Sequence, residues 1–386
     1  MMMIKHILKY ALTVVLAGSL CASCITDSDD DAQPAKKLTV KFTLVARKTQ
    51  AGGARGTVGD NHATELGTGR ENEIDIDQRD YRILAFDPAS GYLYEDLTNN
   101  GELALIQKVE TSNGTEFHYT VSFQQLRTAF QLVVLANWNS FRTSPEADTY
   151  GTFEPLKTKL DEVMKRCYTL PTDQKNEMYI PMVGMQTYSV NPKDEAVLNS
   201  SKDKPYKLGS INMLRSVAKI EIIDKIRVLN PDASITGVSL SGYHSTGTYW
   251  PSIIGNNSDW NVNETQVVDP TLPDSPGWVD DNISFFEDEA FSEDGETSEY
   301  PRYTLYVSEC AINNQYSPAV NITVSNPEGS TPASAEYSFS LNAYTPSLLR
   351  NHIYRYEIKS ASSGNMGVSY TLCPMRHGQA NIPDFE

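Results

Sequence analysis

Positive charge is scarce in this chain: 32 Lys and Arg stand against 49 Asp and Glu, a formal net charge of -17. Phosphate binding needs a basic surface, so nucleic acid is excluded as an expected partner. The acidic balance bears mainly on solubility and low non-specific adhesion. Cysteine is equally sparse. Of the five cysteines, Cys21 and Cys24 lie in a leader, and Cys167, Cys310 and Cys373 are too scattered for a disulfide framework or zinc-ligand spacing. The six histidines, His6, His62, His118, His244, His352 and His377, form no i, i+4 pair and no H-E-x-x-H. There is no G-x-S-x-G, no P-loop and no G-x-G-x-x-G after a strand. Ser245 follows His244, but neighbours on a strand point to opposite faces and cannot work as nucleophile and base. Carboxylates are so common that pairs of them carry no glycosidase signal. The expectation is a protein that is not an enzyme, with no catalytic residues, no cofactor and no metal site. The apolar core of the leader is itself too short for a membrane-spanning helix.

What is present suits a packed globular protein of more than one domain. The chain has 386 residues, 40% of them hydrophobic and 10% aromatic, with 21 Tyr. Twenty Pro and 23 Gly, with Ser, Thr and Asn between short apolar runs, favour an all-β architecture.

The leader has Lys5 and Lys9 before a short apolar core over residues 11–20, which reads as a secretion signal. Ala22 and Ser23 then precede Cys24 and resemble a bacterial lipobox, with Cys21 where Leu is usual. The resemblance implies cleavage before Cys24, lipidation of that residue and retention at a membrane; plain secretion is the alternative. Residues 25–31, Ile-Thr-Asp-Ser-Asp-Asp-Asp, form an acidic solvated tether, similar to the signal that directs some bacterial lipoproteins to the outer leaflet.

The chain is organised around residues 38–56. Leu38, Val40, Phe42 and Leu44 alternate with Thr39, Lys41 and Thr43, the pattern of a strand with one buried face. It runs into a Gly-rich loop with Arg47 and Arg55, where a protease would cut readily. If the loop stays intact, the strand is an ordinary first strand. If it is cut, the strand can leave an open groove behind.

Further along, short strands are expected at 80–87, 92–97, 103–109 and 117–123, and 131–136 reads as a central strand buried on both faces. Leu156, Leu160, Val163, Met164 and Cys167 share one stripe, predicting an amphipathic helix over 154–167. Residues 179–185, holding Pro181 and Gly184, read as an edge strand. The polar run 191–207 suggests a domain boundary near Pro205. Alternation at Ala218, Ile220 and Ile222 then opens a second domain. The stretch 256–300 is strongly acidic, lacks the spacing of an EF-hand and reads as a solvated insertion. The last strand carries Met366, Val368, Tyr370 and Leu372 on one face, ahead of a tail with Ile382 and Phe385. It either closes the second domain or is offered to another molecule.

The lipobox cysteine, acidic tether, first strand and arginine loop are followed in order by four motifs. These are Leu132-Val-Val-Leu-Ala-Asn137, Tyr179-Ile-Pro-Met-Val-Gly184, Leu214-Arg-Ser-Val-Ala-Lys-Ile220 and Leu349-Arg-Asn-His-Ile-Tyr354. The ordered set resembles the fimbrillin family, the shaft subunits of type V pili. The resemblance implies two transthyretin-like β-sandwich domains with one or two short helices. It also implies export as a lipoprotein and cleavage by an arginine-specific protease, between Arg55 and Gly56 by preference and after Arg47 as second choice, with Arg70 third. On this pattern 1–23 is a lipoprotein signal peptide and 24–55 a propeptide holding the removable strand. Residues 56–205 form the N-terminal sandwich and 206–386 the C-terminal one. Loss of Leu38, Val40, Phe42 and Leu44 would open a groove for a donor strand from a neighbour, placed by the resemblance at Met366, Val368, Tyr370 and Leu372 through Ile382 and Phe385. Such a contact is heterologous and propagates into a filament. Partners would be other copies and accessory fimbrial subunits, the protease, the outer membrane before cleavage, and surface ligands in adhesion. Two alternatives stand beside the shaft subunit. One is an anchor or tip accessory subunit that keeps its first strand. The other is a glycan-binding surface lipoprotein using Trp250, Trp260 and Trp278.

Overall fold

The computed structural model describes residues 37–47, 71–111, 114–141, 153–176, 178–251, 277–292, 299–329 and 333–374. Cys24, Arg55, Gly56, Arg70, Trp260, Ile382 and Phe385 lie outside them.

The first part of the chain holds β1 (Thr39–Arg47), β2 (Tyr81–Phe86), β3 (Leu93–Asp96), β4 (Ala104–Thr111), β5 (Gly114–Ser122), β6 (Ala129–Ala136), β7 (Cys167–Thr169), β8 (Met182–Ser189), β9 (Tyr206–Asn212) and β10 (Leu214–Arg215). These make two sheets, ordered β4-β5-β1-β9 and β10-β8-β6-β2-β3. Between them lies a core that includes Phe42, Ile83, Phe117, Tyr119, Leu132 and Val134. Strand β6 sits at the centre of its sheet, and its alternate residues Val133 and Leu135 enter a different core on the other face. It is thus buried on both faces, as its unbroken apolar run requires.

The second part holds β11 (Val217–Asp224), β12 (Ser234–His244), β13 (Thr246–Thr248), β14 (Trp278–Ser284), β15 (Phe286–Ser292), β16 (Glu299–Ser308), β17 (Cys310–Ala311), β18 (Ala319–Ser325), β19 (Ser334–Ser340), β20 (Ser347–Leu348), β21 (His352–Ser362) and β22 (Asn365–Pro374). Its two sheets run β15-β16-β11-β21-β22 and β14-β12-β18-β19, with two small pairs, β7 with β13 and β17 with β20. The architecture is all-β, and α-helix among the described residues is confined to α1 (Glu71–Ile74), α2 (Leu160–Met164) and α3 (Glu195–Leu198).

Three expectations change. The changeover between sandwiches falls at Ser216 and not near Pro205, because β9 and β10 complete the two sheets of the first sandwich. Ser216 is fully buried; its N–H donates to Pro181 O and its hydroxyl to Tyr249 O. The helix expected over 154–167 shrinks to α2. Leu156 is exposed with φ +63°, and the N–H groups of Leu156 and Leu160 donate to Leu93 and Gly91 carbonyls beside β3. That part of the backbone is spent on a strand edge, and Cys167 opens β7. Within the acidic stretch 256–300, the described residues are not loop but β14 and β15, the end strands of two different sheets, and the start of β16. Ile283, Phe285 and Phe291 turn inward there, and Asp288 accepts from Arg302 (3.0 Å) and Thr304 (2.7 Å).

Candidate functional site

Side chains alternate across a strand, and in β1 both faces are occupied. Leu38, Val40, Phe42, Leu44 and Ala46 point into the first core with at most 1% of their surface exposed. The Phe42 ring stacks on Tyr119, centroids 5.8 Å apart and planes at 19°. Burying each large side chain stabilises by about 1.5–3 kcal/mol, so this face alone holds the strand firmly. The opposite face is buried too, where sequence pattern suggests solvent. Thr39 and Ser122 hydroxyls are 2.8 Å apart, and Thr43 Oγ1 lies 3.0 Å from His118 Nδ1. Burial pushes the His118 imidazole down; Glu116 opposes this, and Lys41 adds to it.

The backbone of β1 is paired on both edges. It runs antiparallel to β5, from Thr39 opposite Ser122 to Arg47 opposite Gly114. It runs parallel to β9, from Val40 opposite Tyr206 to Val45 opposite Asn212. That ladder shifts between Lys41 and Phe42, where Gly209 takes φ +87°, a conformation natural to glycine. Leu38 O accepts from Phe123 N at 2.8 Å and Val45 O from Met213 N at 2.9 Å. Among the described residues β9 is the outer strand of its sheet, and β1 is its only ladder partner. Without β1, one sheet would present two open edges above an uncovered core.

The chain beyond β1 is fastened by other means. Glu73, in α1, is buried and paired with Lys219 Nζ at 2.8 Å; it also accepts from the Tyr306 hydroxyl at 2.6 Å. Arg215 Nε donates to the Glu73 carbonyl at 2.8 Å. Lys219 also pairs with Glu221 (2.9 Å), which in turn meets Arg355 (2.8 Å) and Arg302 (3.7 Å). Burial acts to raise the Glu73 and Glu221 carboxyls, but the surrounding cations, Lys219 first, outweigh it and hold both below the usual carboxylate range. This network covers the outer face of the sheet containing β11. Sequence reading missed it, because Lys219 and Glu221 alternate with Ala218, Ile220 and Ile222 as though they faced water. Arg350 is similar: buried, it pairs with Glu309 and donates to the carbonyls of Thr248, Tyr249 and Trp250. The available signal was the pair of motifs around Arg215 and Arg350. Of the two, Arg215 spans the junction, its Nη1 donating to Asn351 Oδ1 at 3.0 Å, while Arg350 bonds within the second sandwich.

The second predicted surface lies elsewhere. Among the described residues β22 is the outer strand of its sheet, with a ladder to β21 alone. Met366, Val368, Tyr370 and Leu372 are half-buried against the second core, with the Tyr370 ring stacked on Tyr356 at 5.0 Å. The structure therefore gathers Leu38, Val40, Phe42 and Leu44 into one core and puts Met366 to Leu372 on another sheet. Arg47 is the last residue of β1, paired through its backbone. Trp250 is buried; Trp278 contacts His244 and Tyr316.

Among solved structures, the tip fimbrial protein Mfa3 from Porphyromonas gingivalis superposes with a TM-score of 0.50 at 13% identity, over 87% of this chain and 99% of that one. The chain has a fimbrial-protein fold. A fimbrial assembly protein from Parabacteroides distasonis gives 0.48 at 13% identity, covering 87% and 98%. The fimbrilin FimA from Porphyromonas gingivalis gives 0.41 at 13% identity, covering 88% and 98%. No family model matches the sequence, and no curated protein does. The likeness lies in the fold, at identities too low to carry residue roles across.

Proposed function

We propose that the chain is a structural pilin of the fimbrial shaft, anchored as an outer-membrane lipoprotein through Cys24 until an arginine-specific protease cuts between Arg55 and Gly56. Strand β1 then leaves, and a strand from another copy or an accessory subunit fills the vacated slot. Copies join into a surface fimbrium that mediates adhesion. The observation that carries this reading is the separability of β1. It is a central strand with a complete apolar face, yet the chain after the arginine loop is tied to the body through Glu73, Lys219 and Arg215. The strand can go without taking the rest of the molecule with it.

The test is the intact mass and N-terminal sequence of protein sheared from cells. A start at Gly56 with the C-terminus retained supports the shaft reading. Material that always begins at lipidated Cys24 overturns it in favour of an anchor or tip accessory subunit, in which β1 stays. Glycan binding through tryptophan loses Trp250, whose ring is enclosed.

A further inference from the structure

Asn137 follows β6 with φ +55°, a left-handed conformation that a residue other than glycine adopts only where its surroundings hold it there. It is fully buried, and its side chain is spent on two distant segments. Nδ2 donates to Asp75 O at 2.9 Å and to Ile180 O at 3.0 Å, while Oδ1 accepts from Asp77 N at 2.9 Å. The Asn137 N–H donates to Asp80 O at 2.7 Å. One asparagine thus holds residues 75–80 at both ends. Between those ends the chain turns: Asp80 N donates to Asp77 O at 2.9 Å, and Arg79 N to Asp77 Oδ1 at 2.9 Å. The Arg79 side chain is 87% exposed, yet its guanidinium is forked onto the Asp77 carboxylate, Nε to Oδ1 at 3.0 Å and Nη2 to Oδ2 at 2.9 Å. Arg79 is the next arginine in the chain after Arg70. We propose that residues 75–80 are a processing stop, in which Asn137 and Asp77 keep the Arg79–Asp80 bond uncut so that trimming ends before α1. This rests on the arginine-specific cleavage proposed above and says where that cleavage must end.

Susceptibility to a protease follows the hydrogen bonding of the backbone around the bond, and exposure of the side chain is not enough. To lie extended in a protease cleft, residues 77–80 must give up the turn and the bonds to Asn137. Asp80 is pinned further, since its carboxylate accepts from Asn139 N at 2.8 Å and from Asn139 Nδ2 at 2.6 Å. Gln78 is held as well, its Oε1 accepting from the Tyr119 hydroxyl at 3.0 Å. The rate of a cut here follows the population of the opened segment. The guanidinium must also leave Asp77, a two-bonded charged pair, before it can enter a specificity pocket. What lies upstream explains the need for a stop. A cut between Arg79 and Asp80 would sever α1 from the body. Glu73 and its pairing with Lys219 would be lost, along with the Glu73 carbonyl that Arg215 holds. Ile74 and Ile76, both buried in the first core, would go with them. A cut in the loop before Glu71 costs none of these.

The experiment is limited digestion of the full chain with a purified arginine-specific protease, with intact mass and N-terminal sequence of the products followed over time. In the parent, the loop arginines are expected to be cut long before any product starts at Asp80. Asp77→Ala is expected to raise the rate of cutting between Arg79 and Asp80 about tenfold. Asn137→Gly keeps the left-handed backbone, removes the side-chain bonds to residues 75, 77 and 180, and is expected to raise that rate about a hundredfold. Adding Arg79→Gln to either variant is expected to abolish the product. Asp77 lies near the surface, so its variant reports on the stop even if Asn137→Gly melts below its parent. A parent cut between Arg79 and Asp80 as fast as in its loop overturns the stop. Parent-like rates at that bond in both variants overturn it too. A parent left whole across residues 48–70 overturns the processing reading instead, and the stop is then still decided by whether Asp80 starts appear in the variants.

Discussion

Glu221 shows how a single side chain can be strongly stabilising in place and dispensable in principle. It is fully buried among Lys219, Arg302 and Arg355. Removing one partner of such a group leaves uncompensated buried charge, which typically costs about 3–5 kcal/mol, whereas replacing a whole buried network with apolar groups can be neutral. Glu221→Gln is therefore expected to lower stability by about 3–5 kcal/mol in urea unfolding. The pH dependence has a definite sign. The Glu73 and Glu221 carboxyls are held below their ordinary value of 4.5, so the folded state binds fewer protons than the unfolded one. Their contribution is complete above that value and is lost as pH falls below it. A stability–pH curve of Glu221→Gln is expected to be flatter than the parent's below pH 4.5; equal slopes would show that the pair does not govern acid unfolding. Phe42 is the corresponding residue of the slot. Phe42→Ala removes the ring stacked on Tyr119, and its expected cost is about 3–5 kcal/mol in the uncut protein. The apolar half of this chemistry was legible in the sequence, since Leu38 to Leu44 alternate without a break. The charged half was not. A lysine and a glutamate at alternate positions of β11 look solvent-facing until Glu73, Tyr306 and Arg355 arrive from distant parts of the chain.

Elements were legible where their pattern reported one environment and misleading where a second chain segment supplied another. The apolar run in β6 announced two buried faces, and the structure has them. The stripe from Leu156 to Cys167 had helical spacing, but the donors at its start went to the edge beside β3 and only α2 remained. In β14 and β15 the acidic residues hid the alternation of Ile283, Phe285 and Phe291. Close approach of elements also fixes small residues. A Cβ on Gly184 in β8 would lie 2.8 Å from Met213 Sδ, 2.9 Å from Ile211 Cγ2 and 3.0 Å from Asn212 O. Gly184→Ala is thus expected to push β9 outward at a cost of about 1–3 kcal/mol, read as a lower melting temperature with faster amide exchange at 206–213. Unchanged exchange there would mean that β9 is not held by this approach.

For the whole molecule, β1 divides the ladders into two groups. Among the described residues, those of β4 with β5, of the sheet β10-β8-β6-β2-β3 and of the second sandwich exist without it, and β9 has no other ladder. Hydrogen exchange on protein cut after Arg55 and freed of β1 is expected to show protection lost in β9 and along the β1-facing edge of β5, with β11 and β21 unchanged. Loss of protection across both sandwiches would mean that β1 is required for the fold as a whole. The domain changeover at Ser216 was hidden from composition for a related reason. The polar stretch before Pro205 marks a surface turn, while the sheets themselves change hands in the middle of an apolar run.

That changeover has a mechanical consequence. Strands β9, β10 and β11 follow one another with only Met213 and Ser216 between them. Tension applied along β1 passes into β9 through a parallel ladder, travels the covalent chain into β11, and crosses to β21 through a second parallel ladder. Both ladders are loaded lengthwise, so their hydrogen bonds must fail together and not one at a time as in peeling. The load path runs from one sandwich to the other without crossing a single flexible loop.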